Sequence, residues 1–152
     1  KTLFPYTTLF RSELPWLDAI CQEALRLHPI VPEVLRKLAQ PWEWCGYQLP
    51  AGHCVGAAIS LAHSREEAFP NPTAFRPERF LERKFSPFEF IPFGGGHRRC
   101  IGAAFAMQEA IIALAMLLSR YRFDTVAETK PWPVQKLTTQ PQGGLPMRVT
   151  RR

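Results

Sequence analysis

Cysteine is sparse in this 152-residue chain. The four present, Cys21, Cys45, Cys54 and Cys100, form no CxxC pair and have no histidine at zinc-finger spacing. That pattern excludes a disulfide scaffold and a structural zinc site. Long apolar runs are also missing: the longest, Ile101 to Leu118, is broken by Gln108 and Glu109, whereas a membrane span needs about 20 mostly apolar residues. No apolar core of about 7–15 residues ahead of a small-residue cleavage site stands near the N-terminus, so no signal peptide is expected. There is no internal repeat, no low-complexity tract and no nucleic-acid recognition motif with a stacking platform. Charge is moderate, 19 Lys and Arg against 13 Asp and Glu for a net of +6, and is read as a solvated face.

What is abundant is proline, 15 residues in 152, against a usual share of about 5%. So interrupted a chain cannot be a long-helix bundle or a coiled coil. Hydrophobic content of 46% with 21% charged residues is globular composition and excludes wholesale disorder. The length suits one domain or a piece of a larger one.

The first residues stand apart. Leu3 to Ser12 reads LFPYTTLFRS, which is the translation of the sequencing-adapter oligonucleotide CTC TTT CCC TAC ACG ACG CTC TTC CGA TCT without a mismatch. Residues 1–12 are therefore read as adapter translation rather than native protein, and the native frame is expected from about Glu13.

From Leu14 to Leu27 the apolar residues fall at helical spacing, with Pro15 suited to a first turn and Pro29 as a stop. Val34 to Ala39 reads as a strand, Trp42 to Leu49 as strand and turn around Gly46, and Pro50-Ala51-Gly52 as a turn. His53 to Leu61 reads as a strand passing into a short helix. Five prolines between Phe69 and Pro92 argue against regular structure there, and six Phe in the same stretch argue that it is packed. Ile101 to about Tyr121 is the longest expected helix, apolar almost all round and so expected to be deeply buried. Val134 to Thr139 and Met147 to Thr150, separated by Gln142-Gly143-Gly144, are expected to form a terminal hairpin.

The chemistry concentrates in Phe93-Gly94-Gly95-Gly96-His97-Arg98-Arg99-Cys100-Ile101-Gly102. A lone cysteine sits where a glycine-rich loop enters a long helix. A helix N-terminus carries partial positive charge and unpaired N–H groups, both of which stabilise a thiolate. Three glycines let the backbone fold back toward the sulfur, and Arg98 and Arg99 add positive potential. These features point to an ionised, metal-ligating cysteine rather than a small apolar residue at a helix start.

The run Phe93-x-x-Gly96-x-Arg98-x-Cys100-x-Gly102 resembles the haem-binding loop of the cytochrome P-450 haem-thiolate monooxygenases. The resemblance implies that Cys100 is the axial ligand of the iron of haem b, donating electron density that favours O–O cleavage on the opposite face. It implies that Arg98 pairs with a haem propionate, that Phe93 shields the sulfur from water, and that Gly102 lets the helix pass close under the porphyrin. Arg36, on the strand after the first helix, falls where a second propionate-binding Arg is common in the family; a surface Arg on an edge strand is the alternative.

Glu23-Ala24-Leu25-Arg26 places a carboxylate and a guanidinium at i and i+3 on one helix face. Alone this could be an exposed pair. Within Leu14 to Pro29 it looks like the K helix of the same family, and Phe75-Arg76-Pro77-Glu78-Arg79-Phe80 looks like its F-x-P-E-R-F element. The resemblance implies a Glu23–Arg26–Arg79 triad with a fold-holding role. His63 matches a histidine common in the family, although Ser64-Arg65-Glu66 lacks the Asp that often follows it. His28, His53 and His97 are read as solvated or bonded to backbone.

The resemblance covers Leu14 to Arg152. It implies an α+β fold, mainly α, corresponding to the C-terminal third of the cytochrome P-450 fold: K helix, small sheet strands, irregular meander, Cys loop, long L helix and terminal hairpin. The family's oxygen-activating helix, with its acid–alcohol pair, precedes this region, so no catalytic residue is assigned within the chain. Substrate contacts are expected only from the strand around Ile30 to Leu38 and from the terminal hairpin. The implied function is oxidation of an organic small molecule with O₂ and two electrons from a ferredoxin, flavodoxin or reductase. Arg98 and Arg99, with Arg83 and Lys84, would attract that acidic donor. An isomerase or peroxygenase on the same fold is the alternative. Taken alone, the chain is expected to be inactive, without a functional haem site, because haem would be open to water on one face. A cytoplasmic location is expected from the unpaired cysteines.

Overall fold

The computed structural model describes residues 14–126, 133–135 and 138–152. The adapter-like segment, residues 1–12, lies outside them.

The first helix, α1, spans Pro15–Leu27. Pro15 occupies the first turn, where its missing N–H costs no hydrogen bond. The helix ends where the His28 N–H bonds back to the Ala24 carbonyl, just before Pro29. Strand β1, Glu33–Lys37, then pairs antiparallel with β4, Cys54–Ala58, and Arg36 stands opposite Val55. Between them β2, Trp42–Trp44, and β3, Tyr47–Leu49, make a hairpin. Its two turn residues both have positive φ, Cys45 at 51° and Gly46 at 80°, as a type I′ turn requires. A single-turn helix α2, Ile59–Ala62, follows β4 directly.

The proline-rich stretch is not wholly irregular. It contains one helical turn, α3, Arg79–Glu82, beginning two residues after Pro77, where proline no longer blocks an intrahelical bond. Its aromatic packing is also partial. Phe69, Phe80, Phe85 and Phe90 stack in a chain with centroid separations of 4.6 to 4.9 Å, whereas Phe75 and Phe88 are exposed.

The long helix α4 spans Ala103–Arg120 and packs against α1 through Cys21, Met107 and Ile111, with Leu17, Leu25 and Leu114 around them. The expectation of deep burial does not hold. Only Ala103, Met107 and Ile111 are buried, and Phe105, Met116, Leu117 and Leu118 face solvent, because α1 covers one face only. Among the described residues α4 is the one helix whose length and mean hydropathy of 1.4 meet the composition of a membrane span. Gln108 and Glu109 do not disqualify it on that measure, but one of its faces is already taken by α1.

The terminal pairing also differs from the expected hairpin. Strand β5, Tyr121–Thr125, pairs with β8, Met147–Arg151, while β6, Pro133–Gln135, pairs with β7, Thr139–Pro141. The strand leaving α4, not among the expected elements, captures Met147–Arg151. The tight hairpin forms upstream of Gln142-Gly143-Gly144 instead of across it. Residues 136 and 137, part of the expected first strand, lie outside the described ones. Among the described residues the four sheets are all two-stranded and antiparallel.

Candidate functional site

Two arrangements dominate the molecule, a buried ionic cluster and an open cavity, and the segment at Ile91 joins them.

The cluster is built on α1. Glu23 and Arg26 lie one turn apart and are both buried. Arg26 grips the carboxylate with two parallel bonds, Nε to Oε2 at 2.7 Å and Nη2 to Oε1 at 2.9 Å, the fork geometry that suits a guanidinium to a carboxylate. Arg79 of α3 adds Nε to Oε1 at 3.2 Å, and the Arg76 N–H donates to the same oxygen at 2.8 Å. The structure thus brings Glu23, Arg26 and Arg79 together. Burial pushes the Glu23 carboxyl upward, but the bonds from Arg26 and the Arg76 N–H and the charges of Arg26 and Arg79 outweigh it, leaving its pKa below the usual value.

Arg26 also reaches beyond its partner, to the carbonyls of His63 at 2.9 Å and Ala74 at 3.2 Å, and Arg79 Nη1 reaches that of Pro70 at 3.2 Å. Arg79 Nη2 is buried without a partner among the described residues. Two guanidiniums therefore hold the proline-rich segment by its backbone carbonyls, where no regular structure satisfies them. Backbone acceptors of this kind leave no residue signature in the sequence.

His63 is the participant with the weakest sequence signal. Its ring is fully buried, with Nδ1 3.3 Å from the Arg26 carbonyl and Nε2 accepting the Ile91 N–H at 2.9 Å. Burial, chiefly, and the nearby Arg26 charge press its pKa down to about 4, against the upward pull of the Arg26 carbonyl.

Two residues beyond Ile91 the loop begins. Gly94 and Gly96 adopt φ of 70° and 64°, a region that costs a side-chain-bearing residue about 1–2 kcal/mol. The turn of 3-10 helix Gly96–Arg98 follows, and the Cys100 N–H closes the loop on the Phe93 carbonyl at 3.0 Å. Cys100 stands just ahead of the Gly102 cap of α4 and outside any disulfide, and it is exposed. A Cβ on Gly102 would lie 3.8 Å from the Cys100 sulfur, an ordinary contact.

Cys100 faces an open cavity of about 870 Å³, within the range of about 300–1,000 Å³ usual for ligand sites. Phe93, Gly96 and Arg36 line it, as does Arg99. Of the two adjacent loop guanidiniums it is Arg99 that lines the wall; Arg98 lies between lining residues Gly96 and Arg99 and is exposed. Arg36 Nη1 bonds the neighbouring Leu35 carbonyl at 2.8 Å, and its other N–H groups have no partner among the described residues. Arg83 is not part of a free basic face. It donates to the Ala68 carbonyl at 2.7 Å and to Glu89 at 3.0 Å, and lies over the Phe85 ring.

The donor set fits haem b. It offers one accessible thiol, a large cavity walled by Phe93 and Met107 on α4, and guanidiniums for anionic substituents. No group of three or more His, Cys, Asp or Glu residues suited to a bare metal ion exists among the described residues. Fold and site together define a haem-thiolate protein.

The family model of cytochrome P-450 matches residues 6–147, and the chain belongs to that family, whose cofactor is haem b. Among curated relatives, cytochrome P-450 4c21 of Blattella germanica is 39% identical over 118 residues, 76% of this chain and 24% of that protein. Thromboxane-A synthase of Macaca fascicularis is 31% identical over 158 residues, 100% of this chain and 30% of that protein. Among solved structures, the retinoic-acid-bound cyanobacterial CYP120A1 superposes with a TM-score of 0.83 at 30% identity, covering 93% of this chain and 33% of its own. The chain thus spans about a third or less of the proteins it matches.

Proposed function

We propose that this chain is the proximal, iron-ligating part of a haem-thiolate monooxygenase that oxidises an organic small molecule with O₂ and two electrons. The observation that carries the reading is Cys100, an accessible thiol presented by a glycine-shaped loop to a cavity lined by Phe93 and Arg36. Haem, when bound, supplies the iron centre at which O₂ is activated. The chain's own residues do the rest. Cys100 gives the sulfur ligand, and the Phe93 carbonyl holds the Cys100 backbone in place. The Phe93 ring would limit access of water to the sulfur, while Arg36 on the cavity wall and Arg98 beside it would bind the carboxylates of the cofactor. Glu23, Arg26 and Arg79 hold the meander to α1.

Substrate contacts, on this reading, come from the segment at Ile30 and from the β6–β7 hairpin. The Thr139 N–H donates to the Ile30 carbonyl at 2.7 Å, so these two candidate regions meet. An acidic ferredoxin, flavodoxin or reductase would approach through the exposed Arg99, beside the cofactor-binding Arg98. Turnover belongs to the whole protein. Product formation by the full-length enzyme that depends on both O₂ and reductant supports the monooxygenase reading. Turnover without reductant supports an isomerase or peroxygenase instead.

A further inference from the structure

We propose that His63 is the positioning residue of the Cys100 loop, tying the segment that carries the ligand to the ionic cluster of α1. The inference rests on the reading of Cys100 as the iron ligand and adds the group that holds it in place.

The argument begins with where the loop's hydrogen bonds go. From residue 91 to residue 100 the backbone N–H of Gly94 bonds Ile91, that of Arg99 bonds Gly96 and that of Cys100 bonds Phe93. All three close within the segment. Among the described residues, the backbone N–H there that bonds outside the segment is that of Ile91, and its acceptor is His63 Nε2 at 2.9 Å. The Ile91 carbonyl in turn receives the Gly94 N–H at 2.9 Å, at the start of the glycine run. Ile91 is thus held at its nitrogen by His63 and itself holds the loop by its oxygen.

The other side of the ring is anchored equally well. Accepting at Nε2 requires a lone pair there, so the neutral ring carries its proton on Nδ1, facing the Arg26 carbonyl at 3.3 Å. Arg26 Nη1 returns a bond to the His63 carbonyl at 2.9 Å. Phe90 stacks on the imidazole at 5.2 Å and Phe69 meets it edge-on at 6.0 Å, which fixes its rotation. A rigid ring therefore spans from the Glu23–Arg26 pair to the root of the Cys loop, two residues before Phe93.

Two substitutions separate positioning from mere packing. In His63→Gln the longer side chain can place Oε1 near the Nε2 position and accept from Ile91. In His63→Asn the shorter amide can donate to the Arg26 carbonyl but cannot reach Ile91. Hydrogen exchange is followed on the full chain, without haem, by peptides covering residues 91–100, α1 and β1–β4. His63→Asn is expected to speed exchange over residues 91–100 by about tenfold, the effect of losing one hydrogen bond, with α1 little changed and His63→Gln close to wild type. Iodoacetamide alkylation of Cys100, mapped by mass spectrometry, should follow the same order. Equal behaviour of the two variants, or a uniform rise across all peptides, overturns the proposal. The carbon-monoxide spectrum of the reduced, haem-loaded full-length protein reports separately on Cys100 ligation. Its failure would remove the ligand reading while leaving the exchange result to judge His63.

Discussion

Arg26 and His63 bind each other twice and in opposite senses. The Arg26 guanidinium donates to the His63 carbonyl at 2.9 Å, and the His63 ring nitrogen Nδ1 meets the Arg26 carbonyl at 3.3 Å. Each side chain caps the other's backbone, across 37 residues of sequence. The exchange is closed to water, since both residues are buried.

Acid should therefore loosen the fold before it touches most carboxylates. The buried His63 titrates at about 4 against a usual 6.5, so between those values the unfolded chain binds the proton and the folded one resists it. Stability is full above about pH 6.5 and falls as pH drops toward 4, by on the order of 3 kcal/mol for a displacement of that size. Glu23 acts in the same direction lower down: its pKa is depressed, so its contribution is lost as pH falls below 4.5. Urea unfolding from pH 7.5 to 4 checks this. A midpoint flat across that range would contradict it, and His63→Gln should flatten the upper part of the slope.

Glu23→Gln should be among the most damaging substitutions. It leaves two buried guanidiniums, Arg26 and Arg79, without their counter-charge, a change that costs about 3–5 kcal/mol. Arg65→Ala, which removes an exposed pair 3.6 Å from Glu67, should cost less than about 1 kcal/mol. Similar denaturation midpoints for the two variants would contradict the fold-holding role of the cluster.

Along α4 the outcome of truncation should depend on the face. Ile111 is fully buried between α4 and α1, and Ile111→Ala is expected to cost about 2–5 kcal/mol. Phe105 is 72% exposed, so Phe105→Ala should change stability by no more than about 0.5 kcal/mol. Its loss should instead reduce self-association of the chain, since an exposed apolar face of this kind promotes contact. Thermal melts with sedimentation analysis distinguish the two effects.

The elements that local pattern controls were legible. Proline at the first turn and after the last marks both ends of α1, and Gly46 marks the β2–β3 turn. The Glu23–Arg26 spacing could be read from the chain, but only resemblance linked it to Arg79, 53 residues after Arg26, and only the structure shows the carbonyls of His63, Ala74 and Pro70 that complete the cluster. Backbone acceptors carry no residue identity. Strand pairing failed for a related reason. Tyr121–Thr125 and Met147–Arg151 each alternate apolar with polar residues, but alternation does not name a partner, and the two pair across 21 intervening residues. Burial of α4 was overread because an apolar helix reveals what it could bury, not what covers it. In the Cys loop the residues were legible and their exposure was not, and Arg99 rather than Arg98 lines the cavity.

The central claim is that Cys100 is the thiolate ligand of haem iron, and it is read in the full-length protein, where both faces of the haem are covered. The most direct measurement is the absorbance spectrum of the haem-loaded, reduced full-length protein under carbon monoxide, for wild type and Cys100→Ser. The account predicts a strongly red-shifted Soret band in the wild type that is lost in Cys100→Ser. A wild type without that band, or a band that survives the substitution, would contradict it.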